Sequence, residues 1–151
     1  MRTDFLLAAL HHLLVYGLVA MLVAEAVLLR APRLTGDTLH RLARLDAGYG
    51  ISALLLLGVG LARIGFGLKG HDFYAHNPWF WAKLGTFLLV GLLSIAPTLR
   101  FLRWRRALRA DPAFEPAAAE LSRMRGLLRV QLGLLALVFV FAAAMARHGG
   151  L

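Results

Sequence analysis

The sequence predicts an all-α integral membrane protein, an antiparallel four-helix transmembrane bundle forming a single domain over residues 1–151. Three observations carry that expectation. Hydrophobic residues make up 60% of the chain, above the roughly 45–50% apolar content of a soluble domain. The mean hydropathy is +0.69. Four apolar runs, 5–29, 48–65, 79–99 and 126–146, approach the roughly 20 residues a helix needs to cross the hydrocarbon core.

The first run contains His11, His12, Tyr16 and Glu25 and closes at Arg30. It has leader-like features, a basic start and the small-x-small string Ala24-Glu25-Ala26. Its apolar core is too long for a cleaved leader, a glutamate sits at the exit and Arg30 follows, so a retained first span is expected. In the first connection Pro32 stops the chain, and Thr35-Gly36-Asp37 precede helically spaced leucines and arginines from Leu39 to Leu45. That pattern predicts a short helical extension leading into the second span.

The second run closes at Arg63 and carries Gly48, Gly50, Gly58 and Gly60; the third carries Gly85 and Gly91. Small residues let membrane helices approach closely, and a flat cofactor against glycine is the secondary reading. The loop between them is rich in glycine and aromatics and holds Lys69, His71, Asp72, Tyr74 and His76. Asn77-Pro78 is a turn signal, and Trp79 and Trp81 mark the membrane interface. Past the third run, Asp111-Pro112 and Pro116 interrupt the chain, and a helix restarts at Ala117 to enter the fourth span. Short connections make sequence neighbours spatial neighbours, hence the up-down bundle.

The net charge is +9, and its distribution points to topology rather than nucleic acid. The first connection holds Arg30, Arg33, Arg41 and Arg44. The third, with its helix ends, holds Arg100, Arg103, Arg105, Arg106, Arg109, Arg123, Arg125 and Arg129. Only Arg2, Arg63, Lys69, Lys83 and Arg147 fall on the opposite side. The positive-inside rule therefore places both basic connections in the cytoplasm and both termini outside. Anionic lipid is the expected partner of the Arg100 to Arg109 cluster. With no cysteine in the chain, no disulfide, thiolate metal site or redox thiol can form.

Ionisable groups inside a membrane are costly and mark function by default. On the outer side, His11 lies six residues past Phe5, about 9 Å into its span, and Lys83 four past Trp79, about 6 Å into its own. Arg63 closes the second span on that side, and Tyr74, His76, Met145 and His148 reach it from the loop and the fourth span. On the inner side, Glu25, Asp46, Tyr49, Ser94, Arg100, Arg129 and Gln131 share a depth. An ion pair of Glu25 with Arg100 or Arg129 is the expected structural use of that group. At about 100° per residue, Asp4, His11, Leu18 and Glu25 form one stripe facing the bundle, while His12 lies with Tyr16 and hydrogen-bonds it or a neighbouring helix.

An inward histidine suits a haem iron or a metal, and bundle cores commonly hold either. Lys83 and Arg63 would balance two porphyrin propionates, with His11 as the axial ligand; a second ligand would come from His76, His148, Met145, Lys83 or nowhere. The bland alternative is that these groups are hydrogen-bonded or snorkelling residues.

Several strings carry a resemblance: Leu10-His11-His12-Leu13, Ala24-Glu25 with Leu28-Leu29-Arg30, Leu42 to Gly50, Asn77 to Lys83, and Pro97 to Phe101. Together they resemble, over nearly the whole chain, a family of small four-span bacterial inner-membrane proteins that carries a domain-of-unknown-function label. More distantly, the chain is similar to HemJ-type protoporphyrinogen oxidases and to CopD-like copper-resistance membrane domains. The shared features are an early histidine, His11 or His12, followed by Arg30, and for HemJ the Trp81, Lys83-Leu84 start of a later span. The HemJ resemblance implies an oxidoreductase in which His11 and Lys83 serve a porphyrin. A proline in the second span and an Asn-Glu-x-Pro-Thr string, both present in HemJ, are absent here.

The leading expectation is a protein that binds b-type haem or a related porphyrin, with His11, His12, Arg63, His76 and Lys83 as the candidate binding residues. Redox chemistry or electron transfer would follow, with a redox partner and self-association as further expectations. Glu25, Asp46 and Arg100 are expected to be structural. The second reading is copper or small-solute transport, although copper(I) prefers soft ligands and the methionines are not clustered. A cofactor-free accessory subunit is the third.

Overall fold

A computed structural model describes residues 2–66 and 70–148, without the side chains of Arg2, His71 and His148. Lys69 and those two histidine side chains, all named from the sequence, therefore lie outside the described residues. The helices are α1 (Arg2–Leu28), α2 (Gly36–Phe66), α3 (Gly70–Ala75), α4 (Pro78–Ala110) and α5 (Ala118–His148). No strand occurs among the described residues. All but α3 are long and apolar enough to cross a membrane.

The long helices form an antiparallel square, with α1 and α4 each packed on α2 and α5. Each presents a buried seam at helical spacing: Leu18, Leu22 and Leu29 on α1; Leu39, Leu42, Tyr49 and Leu56 on α2; Val90, Phe101 and Trp104 on α4; Leu121, Met124, Leu128 and Leu135 on α5. The outward faces are equally apolar, with Phe5, Leu54 and Leu92 largely exposed. A helix apolar all round is matched to lipid on one side and to packing on the other.

The ends explain the lengths. Thr35 Oγ1 accepts the Thr38 N–H at 3.3 Å and so caps the start of α2. The expected extension from Leu39 is thus continuous with the second span in one 31-residue helix. Asn77 does the same for α4: its side chain accepts the Trp79 N–H at 3.0 Å, and Pro78 opens the first turn. The third span does not stop at Leu99 but runs on to Ala110, because nothing breaks helical spacing until Asp111-Pro112. Its arginines therefore stand on about 16 Å of helix that projects past the expected span. The outer loop contains a helical turn and a half, α3, that its glycine and aromatic content did not suggest.

At the inner end α5 is tied to both neighbours. Arg125 donates from Nε to Leu29 O at 2.5 Å and from its terminal nitrogen to Ala31 O at 3.0 Å. These are carbonyls that the end of α1 leaves unsatisfied. Glu120 accepts from Arg100 and, at 2.9 Å, from Trp104 Nε1.

Candidate functional site

His11, Arg63 and Lys83 line one cavity, as their shared depth predicts. The cavity and the open space at its mouth together hold about 850 Å³. α1 supplies His11 and Val15; α2 supplies Leu56, Gly60 and Arg63; α4 supplies Phe80, Lys83 and Phe87; α5 supplies Val138 and Met145. Tyr74 of α3 closes it from the loop. Among the described residues no acidic one lines it.

The polar groups in this cavity are poorly satisfied. His11 Nδ1 and Arg63 Nε are buried without a hydrogen-bond partner. Lys83 Nζ lies 4.0 Å from the Met145 sulfur and 5.7 Å from the centre of the Phe80 ring, a weak acceptor and a cation–π contact in place of a carboxylate. The charges of Arg63 and Lys83 act on His11 and on each other. Buried polar atoms are almost always paired, so orphans facing a cavity mark a place where a ligand can pair them. Gly60 lies beside the imidazole: a Cβ built there would be 3.7 Å from His11 Cε1.

Two candidate residues lie elsewhere. His12 is exposed on the lipid-facing side, its Nδ1 2.6 Å from the Ala8 carbonyl of its own helix. It bonds neither Tyr16, which is 73% exposed, nor a neighbouring helix. One residue of helix rotates a side chain by about 100°, enough to turn it out of the bundle. His76 is also exposed, with Nδ1 3.1 Å from Asp72 O, and does not line the cavity. The closely packed glycines reduce to one: a Cβ on Gly48 would come within 2.8 Å of the Met21 sulfur, whereas Gly50, Gly58, Gly85 and Gly91 meet nothing within 4 Å.

Residues 3–150 match the family described as predicted membrane protein (DUF2214). The chain belongs to that family. No curated protein and no solved structure matches it.

The DUF2214 chain has a second polar group in the half of its bundle nearer the arginine-rich connections, and here the expected pairing is corrected. Glu25 bonds neither Arg100 nor Arg129: Arg100 pairs with Glu120, and Arg129 is exposed. Glu120 lies five residues nearer the start of α5 than Arg125, so Arg100 is drawn toward the helix ends, where it stays half-solvated. Glu25 and Asp46 are instead buried in the core with Tyr49 and Gln131. Thr98, which sequence reasoning did not single out, donates to Asp46 Oδ1 at 3.0 Å. Glu120 was missed too, because an acidic residue outside the apolar runs looks like surface.

Proposed function

We propose that the outer cavity binds a porphyrin, b-type haem or a relative of it, and that this DUF2214 protein serves redox chemistry or electron transfer in a bacterial inner membrane. The observation that carries the reading is an orphaned imidazole nitrogen beside two cations in an apolar cavity to which no described residue brings a carboxylate. Such a lining suits a ligand with a flat apolar body and anionic edges. Arg63 and Lys83 would hold the carboxylates, Val15, Leu56, Phe80 and Phe87 the macrocycle, and His11 the iron. Met145, Tyr74 and Lys83, if Lys83 is not spent on a carboxylate, are other side chains in the lining able to ligate iron. Haem, when bound, supplies a one-electron redox centre; the chain's own part is to orient it, neutralise its charge and keep water from its apolar face.

A bare copper ion fits less well. Two fixed positive charges oppose a third, and the donor set offers one imidazole and one thioether. The exposed Arg103, Arg106 and Arg109 on the projecting end of α4 suit anionic headgroups on the cytoplasmic side.

The test is the visible spectrum of protein purified from its membranes, oxidised and then reduced with dithionite. A Soret band present in the wild type and in His12→Ala, but lost in His11→Ala, supports the proposal. Absence of any chromophore after haem supplementation, together with no quenching of protein fluorescence by iron-free protoporphyrin, overturns it.

A further inference from the structure

Two carboxylates lie in the inner half of the bundle core with no cation facing them. Glu25 is 1% exposed and Asp46 5%, and they are close enough for their charges to act on each other and on Tyr49. Taking the elements of the bundle in turn, α2 brings Asp46 and Tyr49 into this part of the core, α4 brings Thr98, which donates to Asp46, and α5 brings Gln131. The neighbouring basic residues are engaged elsewhere: Arg125 with the Leu29 and Ala31 carbonyls, Arg100 with Glu120. Arg44 and Arg129 are exposed. Among the described residues neither Glu25 nor Asp46 has an ion-pair partner.

Gln131 supplies a second, independent observation. It is 0% exposed, and both its amide oxygen and its amide nitrogen are buried without a partner. It sits on the seam of α5 that faces the seam of α1 carrying Glu25. Arg125 marks the register, since it reaches Leu29 and Ala31. Six residues further along α5, about 9 Å, Gln131 comes level with Glu25, which precedes those carbonyls by about 6–9 Å. α1 and α5 pack on each other, and at this level both side chains are turned into the core, Glu25 at 1% and Gln131 at 0% exposure. Glu25 Oε1 also lacks a partner.

We propose that Glu25, Asp46 and Gln131 form an intramembrane site for one small monovalent cation, a proton or a sodium ion, held between the two carboxylates. Two uncompensated anions in so apolar a place are not sustainable, and one positive charge halves the problem. A sodium ion would find hard oxygen donors in the carboxylates, the Gln131 amide and the Thr98 and Tyr49 hydroxyls. A proton would turn one carboxyl into a donor to the other or to Gln131. The site is separate from the outer cavity and does not depend on a porphyrin.

The test compares thermal melting of the full chain in detergent across pH, in sodium chloride and in choline chloride at equal ionic strength. Infrared spectra at neutral pH are recorded for the wild type, Glu25→Gln and Asp46→Asn. Loss of the cation exposes two like charges, so the wild-type Tm in choline should fall by several degrees as pH rises. If sodium restores the Tm, and either variant loses that response, the cation is sodium. If sodium has no effect and a protonated-carboxyl stretch disappears in either variant, the cation is a proton. A wild type that shows neither a sodium response nor a protonated-carboxyl stretch overturns the proposal, even if the variants fail to fold. So does a signal that both variants retain.

Discussion

At the residue scale, His11 and His12 differ only in where one residue of helical rotation points them, yet one lines a cavity and the other faces outward. Lys83 and Arg63 become interesting because no described residue brings a carboxylate to that lining. A charge-assisted hydrogen bond is worth roughly 1.5–3 kcal/mol, so Lys83→Met and Arg63→Met should each weaken protoporphyrin binding about tenfold or more, measured by fluorescence titration. Gly60 offers a steric check. Its Cβ position is at ordinary contact distance from His11, so Gly60→Ala should bind as the wild type does and Gly60→Leu should not, with both variants folded by circular dichroism. Gly48 is different in kind, because a Cβ there presses on the Met21 sulfur at 2.8 Å. Overpacking of this sort costs roughly 1–3 kcal/mol, so Gly48→Leu should lower the Tm without touching the outer cavity.

At the element scale, helix ends and ties between helices carry what apolar seams leave unspecified. Asn77 is buried and caps α4 immediately before the Trp79 to Lys83 segment. Asn77→Ala should cost about 1 kcal/mol of stability, read by thermal melting, and loosen Lys83, read as weaker porphyrin binding. Glu120 holds Arg100 and Trp104 of α4 against α5. Its removal leaves two donors with no acceptor, so Glu120→Ala should destabilise by roughly 1–3 kcal/mol, more than Asp37→Ala, which breaks only an exposed pair with Arg41 within α2. The seams were readable because buried positions recur every three or four residues. The pairing of Arg100 was not: α4 packs on α5 and lies diagonally across the square from α1, so its arginine pairs with Glu120 and not with Glu25.

At the scale of the whole molecule, charge asymmetry predicts an orientation in the membrane, and the square of helices sets which polar groups meet. The absence of cysteine makes the orientation simple to read. A membrane-impermeant maleimide applied to intact cells should label His76→Cys, on the exposed outer loop, and not Glu115→Cys, on the exposed connection between α4 and α5. The reverse pattern would overturn the topology, and with it the assignment of the cavity to the outer leaflet. By itself the sequence determined the membrane class, the four spans, the side on which the arginines gather, and the two depths at which polar residues occur. These follow from composition along one dimension, where the bilayer acts as a solvent with a fixed thickness. Only the tertiary structure decided that His11, Arg63 and Lys83 share a cavity that His12 and His76 do not line, and that Glu25 is buried without an arginine while Arg100 pairs with Glu120. Those outcomes depend on helix rotation and lateral packing, which are fixed by how four seams interlock and are not written in any one span.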